Sequence, residues 1–364
     1  MWMIISLAFI PFLYFILILI FYVGWRFIPV FNLKTNESCS LSVSIIVACK
    51  NESENLLSLI SALENQSYKD FELIFVNDHS TDNSNEQLLP ILTAFPKSKI
   101  IDAEEFGKKN AIKEGILKAT GELIVTIDAD CIPNVQWIET IIQFQKMYPS
   151  DLIICPVKYE DKHSLFSRLQ LIEFTSLVAS GVGAAGFNMP ILCNAANMAF
   201  TKKTWLESRR GLHEEILSGD DIFLLESVKK KGGVIKVLKS ELAFVTTQSS
   251  DSITGFFKQR RRWASKSTAY TDWQIIFTAV IVLFVNLLLM VLLFLSFFYF
   301  KYLALFSALF VFKYLVDTLF LNSVKSFFKI KNLWIYSLLL SIIYPLYVVI
   351  VGVTALIIKP KSWK

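Results

Sequence analysis

Asp128 and Asp130 are separated by one residue and follow the β-rich run that begins at Glu122. Two carboxylates at that spacing reach one hard divalent cation and, through it, a diphosphate, whereas a single acid after a strand is ordinary turn chemistry. Two other acids, Glu52 and Asp78, follow β-rich runs of their own, and Gly107-Lys108-Lys109-Asn110 opens a helical stretch. A helix N-terminus with ammonium groups beside it suits a phosphate. Farther along, Ser218-Gly219-Asp220-Asp221 sets two carboxylates at the head of another helical run, and Gln259-Arg260-Arg261-Arg262-Trp263 places three guanidiniums beside an indole. Each has a plain alternative: a capping box for Asn51 and Glu54, a helix cap for Asp220, and a basic-aromatic membrane anchor for the arginine string.

The elements that must hold these groups alternate in type. Val43 to Cys49, Phe71 to Asn77, Glu122 to Asp128 and Asp151 to Val157 have the composition of strands, and Glu52 to Gln66 and Lys108 to Ala119 that of helices. This βαβ rhythm predicts an α/β domain with a mostly parallel sheet covered on both faces. Ligands of such sheets bind at the carboxyl ends of the strands, where Glu52, Asp78, Asp128 and Asp130 fall.

Composition sets the compartment. The chain is 54% hydrophobic with 31 phenylalanines, and its mean hydropathy is +0.50, too apolar for an ordinary soluble protein. Met3 to Trp25 is long enough to cross a bilayer, and Arg26, Lys34 and Lys50 after it put the following domain in the cytoplasm. Three more apolar runs, near Trp273 to Phe300, Tyr302 to Asn322 and Leu333 to Ile358, close the chain. The expected organisation is an N-terminal transmembrane helix (1–25), a cytoplasmic domain (41–268) and a transmembrane region of about three helices (273–358). Lys325, Lys329 and Lys331 mark a cytoplasmic loop, while the same count puts Lys359, Lys361 and Lys364 outside, against the positive-inside tendency. Lys313 and Asp317, one turn apart within the third span, suit an intramembrane ion pair.

The ordered set of motifs resembles the membrane-bound family-2 glycosyltransferases, the group of cellulose, chitin and hyaluronan synthases. The likeness runs from Leu41 to Trp263 plus the flanking spans, and its specificity lies in the order and spacing of six short motifs. It implies a GT-A fold in which Glu52 and Asp78 contact the base and ribose of a nucleotide sugar and Lys108 lies near the nucleotide. Asp128 supports the ribose and metal site, and Asp130 binds the metal, Mg²⁺ or Mn²⁺. Asp221 matches the family's base, with Asp220 beside it, and Gln259, Arg262 and Trp263 match the Gln-x-x-Arg-Trp motif against the diphosphate and acceptor sugar. The family often has Glu-Asp where this chain has Asp220-Asp221, which leaves open which carboxylate is the base. One base without a carboxylate nucleophile means inversion at the anomeric carbon.

The resemblance implies a UDP-sugar donor, a membrane lipid or lipid-linked glycan as acceptor, and residence in a bacterial plasma membrane. A processive synthase of a β-linked polysaccharide is the alternative within the class, and a nonenzymatic scaffold with a retained nucleotide-sugar fold the alternative outside it. His163 to Ala185 reads either as a helix in the membrane interface or as a core helix. By likeness, Gly181 to Gly186 and Cys193 to Met198 form an acceptor-side loop, and Phe256 and Phe257 are expected to press toward lipid. His79 is expected to support its turn. Cys39, Cys49, Cys131, Cys155 and Cys193 lack metal spacing and read as free thiols, and no nucleic-acid motif is present.

Overall fold

The computed structural model describes residues 2–34, 41–213, 216 and 218–357; Cys39 and the tail lysines Lys359, Lys361 and Lys364 lie outside them. The chain divides into two compact units, one of Met1–Ile28, Asp161–Leu192 and Ser249–Pro360, the other of Pro29–Glu160 and Cys193–Gln248.

The second unit carries the α/β fold. Its strands are β1 (Val43–Cys49), β2 (Glu72–Asn77), β3 (Ser98–Asp102), β4 (Leu123–Thr126), β5 (Ile132–Pro133), β6 (Leu152–Ile154), β7 (Val157–Tyr159), β8 (Met198–Thr201), β9 (Ile235–Val237) and β10 (Val245–Thr247). Seven of them form a sheet in the order β3-β2-β1-β4-β8-β6-β9, and the other three a small sheet β5-β10-β7. β1 pairs in parallel with β2 and β4, and β2 with β3, while β8 runs antiparallel between β4 and β6. Every residue of β1, β2 and β4 is buried, as parallel strands covered on both faces must be. The registers Cys49 with Asn77 and Ile46 with Thr126 bring the three strands to a common edge, so the residues that follow them share one crevice.

The single strand expected over Asp151–Val157 is two, in different sheets, with Cys155 and Pro156 between. Pro156 has no N–H for a ladder, so the chain leaves one sheet and enters the other there. Asn51 and Glu54 do not form a capping box, because the helix starts only at Leu56. The stretch Cys193 to Met198 contains a 3₁₀ turn whose Asn197 is fully buried, accepting from Trp137 Nε1 (2.8 Å) and donating to the carbonyls of Pro156 (2.7 Å) and Ala243 (2.9 Å). That turn is a structural clasp.

Among its described residues the first unit has four helices long and apolar enough to cross a membrane, with spans Phe9–Phe27, Trp273–Ser296, Lys301–Phe328 and Leu333–Ala355. Lys313 pairs with Asp317 (2.6 Å), whose other oxygen accepts from the Tyr14 hydroxyl (2.6 Å). Helix Leu165–Ala185 packs on Trp2–Phe27 and Leu333–Ile357. Gly183 and Gly186 belong to that packing, while Gly181 faces Leu192 of the segment after the helix. A Cβ on Gly183 would stand 2.7 Å from Phe21 Cα, and one on Gly186 2.6 Å from Gly24 Cα, so two helix backbones touch where only glycine fits. Phe256 packs against Phe166 (5.8 Å between ring centroids) and Tyr347 (5.2 Å).

Candidate active site

Asp78 follows β2 and is fully buried, with its backbone N–H donating to Cys49 O across to β1. One carboxylate oxygen accepts from Gly107 N (3.0 Å) and the other from Lys50 Nζ (3.4 Å). Gly107 has φ +113°, a backbone that only glycine adopts without strain, and it turns the chain into helix Lys108–Lys118. Lys108, first in that helix, reaches Asp128 beyond β4 and pairs with it at 2.6 Å. Asp130 lies close enough to Asp128, Glu52 and Lys108 to feel their charges. Loss of water, then the like charges of Asp128 and Glu52, push its carboxyl up to about 6 against the pull of Lys108. Glu52, Asp78, Lys108, Asp128 and Asp130 thus meet at the carboxyl ends of β1, β2 and β4.

A divalent cation was expected at Asp128 and Asp130. The donors fit one: hard carboxylate oxygens, crowded by like charge, with an ammonium already drawn among them. Among the described residues no group of three or more His, Cys, Asp or Glu is placed to hold a metal ion.

The turns beyond β1 and β2 lock together. Asn51 (φ +52°) accepts at its side chain from Thr81 N (2.8 Å), and Asp82 accepts from Ser53 N (3.1 Å), Ser84 N (3.1 Å) and Ser84 Oγ (2.5 Å). Burial works against these bonds, yet they hold the Asp82 carboxyl down to about 2. A depressed carboxylate stabilises the fold above its unfolded value near pH 4 and loses that contribution as pH falls through the folded value. Asp82→Ala should therefore cost about 1 kcal/mol at neutral pH, with the gap between wild-type and variant melting temperatures closing as pH falls below about 4. His79 (φ +54°) serves its turn as expected and stacks on Phe106, with centroids 3.8 Å apart.

Asp220 and Asp221 head helix Asp220–Lys230, entered through Gly219 in the left-handed conformation. Asp221 Oδ1 accepts from Ile222 N (2.7 Å), and its carbonyl accepts from Cys193 Sγ (3.2 Å). Lys109 does not stand with Lys108; it donates to the carbonyls of Leu212 (3.1 Å) and His213 (2.9 Å) and lies over Phe223, pinning the segment before the acidic pair. Sequence reasoning missed this tether because its acceptors are backbone atoms more than 100 residues away. The four described cysteines, Cys49, Cys131, Cys155 and Cys193, are buried and form no disulfide among themselves.

Gln259, Arg262 and Trp263 belong to the other unit, on helix Ile253–Ser265. Arg260, read from sequence as serving the bilayer, is 3% exposed. Its guanidinium meets Glu173 through two nitrogens, Nε to Oε1 at 3.1 Å and Nη2 to Oε2.

Parallel strands followed by acids, an Asp-x-Asp pair and a Gly-Lys helix start make up a mixed α/β domain of GT-A fold. Residues 44–209 match the family model described as Glycosyl transferase family 2, so this part of the chain is similar to that family. Poly-beta-1,6-N-acetyl-D-glucosamine synthases of Staphylococcus epidermidis and of Staphylococcus aureus strain COL are 28% and 27% identical over 61% of this chain. The chain spans about half the length of these relatives, 53%. Mannosyltransferase PcManGT from Pyrobaculum calidifontis, solved with GDP-Man and Mn²⁺, shares the fold over 96% of both chains, with a TM-score of 0.56 and 14% identity.

Proposed function

We propose that this protein transfers a sugar from a nucleotide sugar, a UDP-sugar, to a membrane lipid or lipid-linked glycan, with inversion at the anomeric carbon. The observation that carries the reading is the gathering of Glu52, Asp78, Lys108, Asp128 and Asp130 at one sheet edge. Asp78 and Glu52 hold base and ribose. Asp128 and Asp130 would hold Mg²⁺ or Mn²⁺, which when bound supplies positive charge to the departing diphosphate. Lys108 bears on that negative charge, Arg262 takes its diphosphate role from its match to the Gln-x-x-Arg-Trp motif, and Asp221 takes the proton of the incoming hydroxyl. Gln259 and Trp263 orient diphosphate and acceptor sugar, with Asp220 beside the base. In this reading residues 41–268 form the transferase domain on the cytoplasmic face of a bacterial plasma membrane, between spans 1–25 and 273–358.

A second reading is processive synthesis of a β-linked polysaccharide, and the relatives' named product favours it. Detergent-purified protein given a panel of nucleotide sugars, Mg²⁺ or Mn²⁺ and native lipid extract should yield a glycolipid, with product length read by mass spectrometry. A ladder of long chains would select the second reading, and absence of sugar transfer with every donor would defeat both. EDTA should reduce turnover to background and either cation restore it; full turnover in EDTA would remove the cation from the proposal.

A further inference from the structure

We infer that Arg260, held by Glu173 and Tyr347, is a positioning residue for Gln259 and Trp263; the inference rests on the role proposed above for those two. Phe256, Arg260 and Trp263 stand four and three residues apart, so they share one face of helix Ile253–Ser265. The Arg260 guanidinium lies between the other two, 4.7 Å from the Phe256 ring centroid and 4.3 Å from that of Trp263. Its Nη1 donates to Gln259 Oε1 (2.6 Å), while Nε and Nη2 are taken by the Glu173 carboxylate of helix Leu165–Ala185. Tyr347, from the last span, donates its hydroxyl to Glu173 Oε1 (3.0 Å). Phe174, next to Glu173, packs on Trp263 with centroids 6.0 Å apart.

The planar fork of one arginine thus fixes a carboxamide at its edge and an indole on its face, while a carboxylate from another helix fixes the fork. Both ends of the ion pair are 3% exposed, so the arrangement is shielded from competing water. Lysine has neither the fork nor the stacking plane. A pair serving stability alone would be replaceable by two apolar side chains of similar volume. A pair that orients Gln259 and Trp263 would not.

The test uses the full chain in detergent, with Glu173→Met/Arg260→Met, Arg260→Lys, Gln259→Ala and the triple variant assayed for melting temperature, donor KM and kcat. The Met pair should melt near wild type and keep its donor KM, yet lose about a hundredfold in kcat. Arg260→Lys should fall between. Since Arg260 acts through Gln259, adding the Met pair to Gln259→Ala should cost much less than it does alone. Wild-type kcat in the Met pair or in Arg260→Lys, or full additivity with Gln259→Ala, would overturn the inference. Wild-type kcat in Gln259→Ala would instead remove the underlying role of the motif, and the inference with it.

Discussion

Asp221→Asn should lower kcat by about a thousandfold while nucleotide affinity stays within a few-fold of wild type. Asparagine has the shape of aspartate and still accepts the Ile222 N–H that now holds Oδ1 at 2.7 Å, so the helix start survives the change. What disappears is the ability to take a proton from a hydroxyl, a loss that falls on the chemical step. The contacts proposed for the nucleotide come from Glu52, Asp78 and Lys108, at the ends of β1 and β2 and the start of helix Lys108–Lys118, and leave donor binding intact. Calorimetric nucleotide binding together with single-turnover transfer measures both quantities. Asp220→Asn is the control, with a smaller expected loss. If Asp220→Asn is the more damaging of the two, the base is Asp220. If both retain wild-type kcat, neither carboxylate is the base.

Gly183→Val should be the most damaging single change to the fold of the first unit. A valine there puts three carbons where the Phe21 backbone already stands, and the contact is between two helix axes, with no flexible side-chain tip to move aside. The expected loss is about 3 kcal/mol, at the upper end for overpacking, because separating the helices also opens the adjoining Gly186 contact. Size-exclusion profiles and melting temperatures in detergent measure it. A monodisperse Gly183→Val protein melting at the wild-type temperature would show that the crossing relaxes freely.

Much of the site was legible because its residues follow strands whose apolar runs are easy to see. Asp78, Asp128 and Asp130 each come directly after such a run, and a parallel sheet leaves the ends of neighbouring strands no other place to go. Lys108 was legible through the glycine before it. The pairs that join distant segments were hidden. Glu173 and Arg260 lie 87 residues apart, and nothing local distinguishes Arg260 from Arg261 or Arg262. The small residues near Gly183 misled for a related reason: glycine admits a close approach without specifying whether a ligand or a helix makes it. β8, β9 and β10 have four, three and three residues, too few for a period to declare itself.

The division of the chain into two units has a consequence for how the protein can be cut. The polypeptide passes from one unit to the other at Ile28, Glu160, Leu192 and Gln248, so neither unit is a continuous stretch of sequence. A fragment ending before the second span and starting after the first, such as 41–268, would carry helix Leu165–Ala185 without the Trp2–Phe27 backbone against which Gly183 and Gly186 close. Its newly bared apolar face would drive association. Removing the hydrophobic ends therefore does not release a soluble enzyme: the catalytic sequence is woven through its own anchor, and the two are inherited, made and lost together.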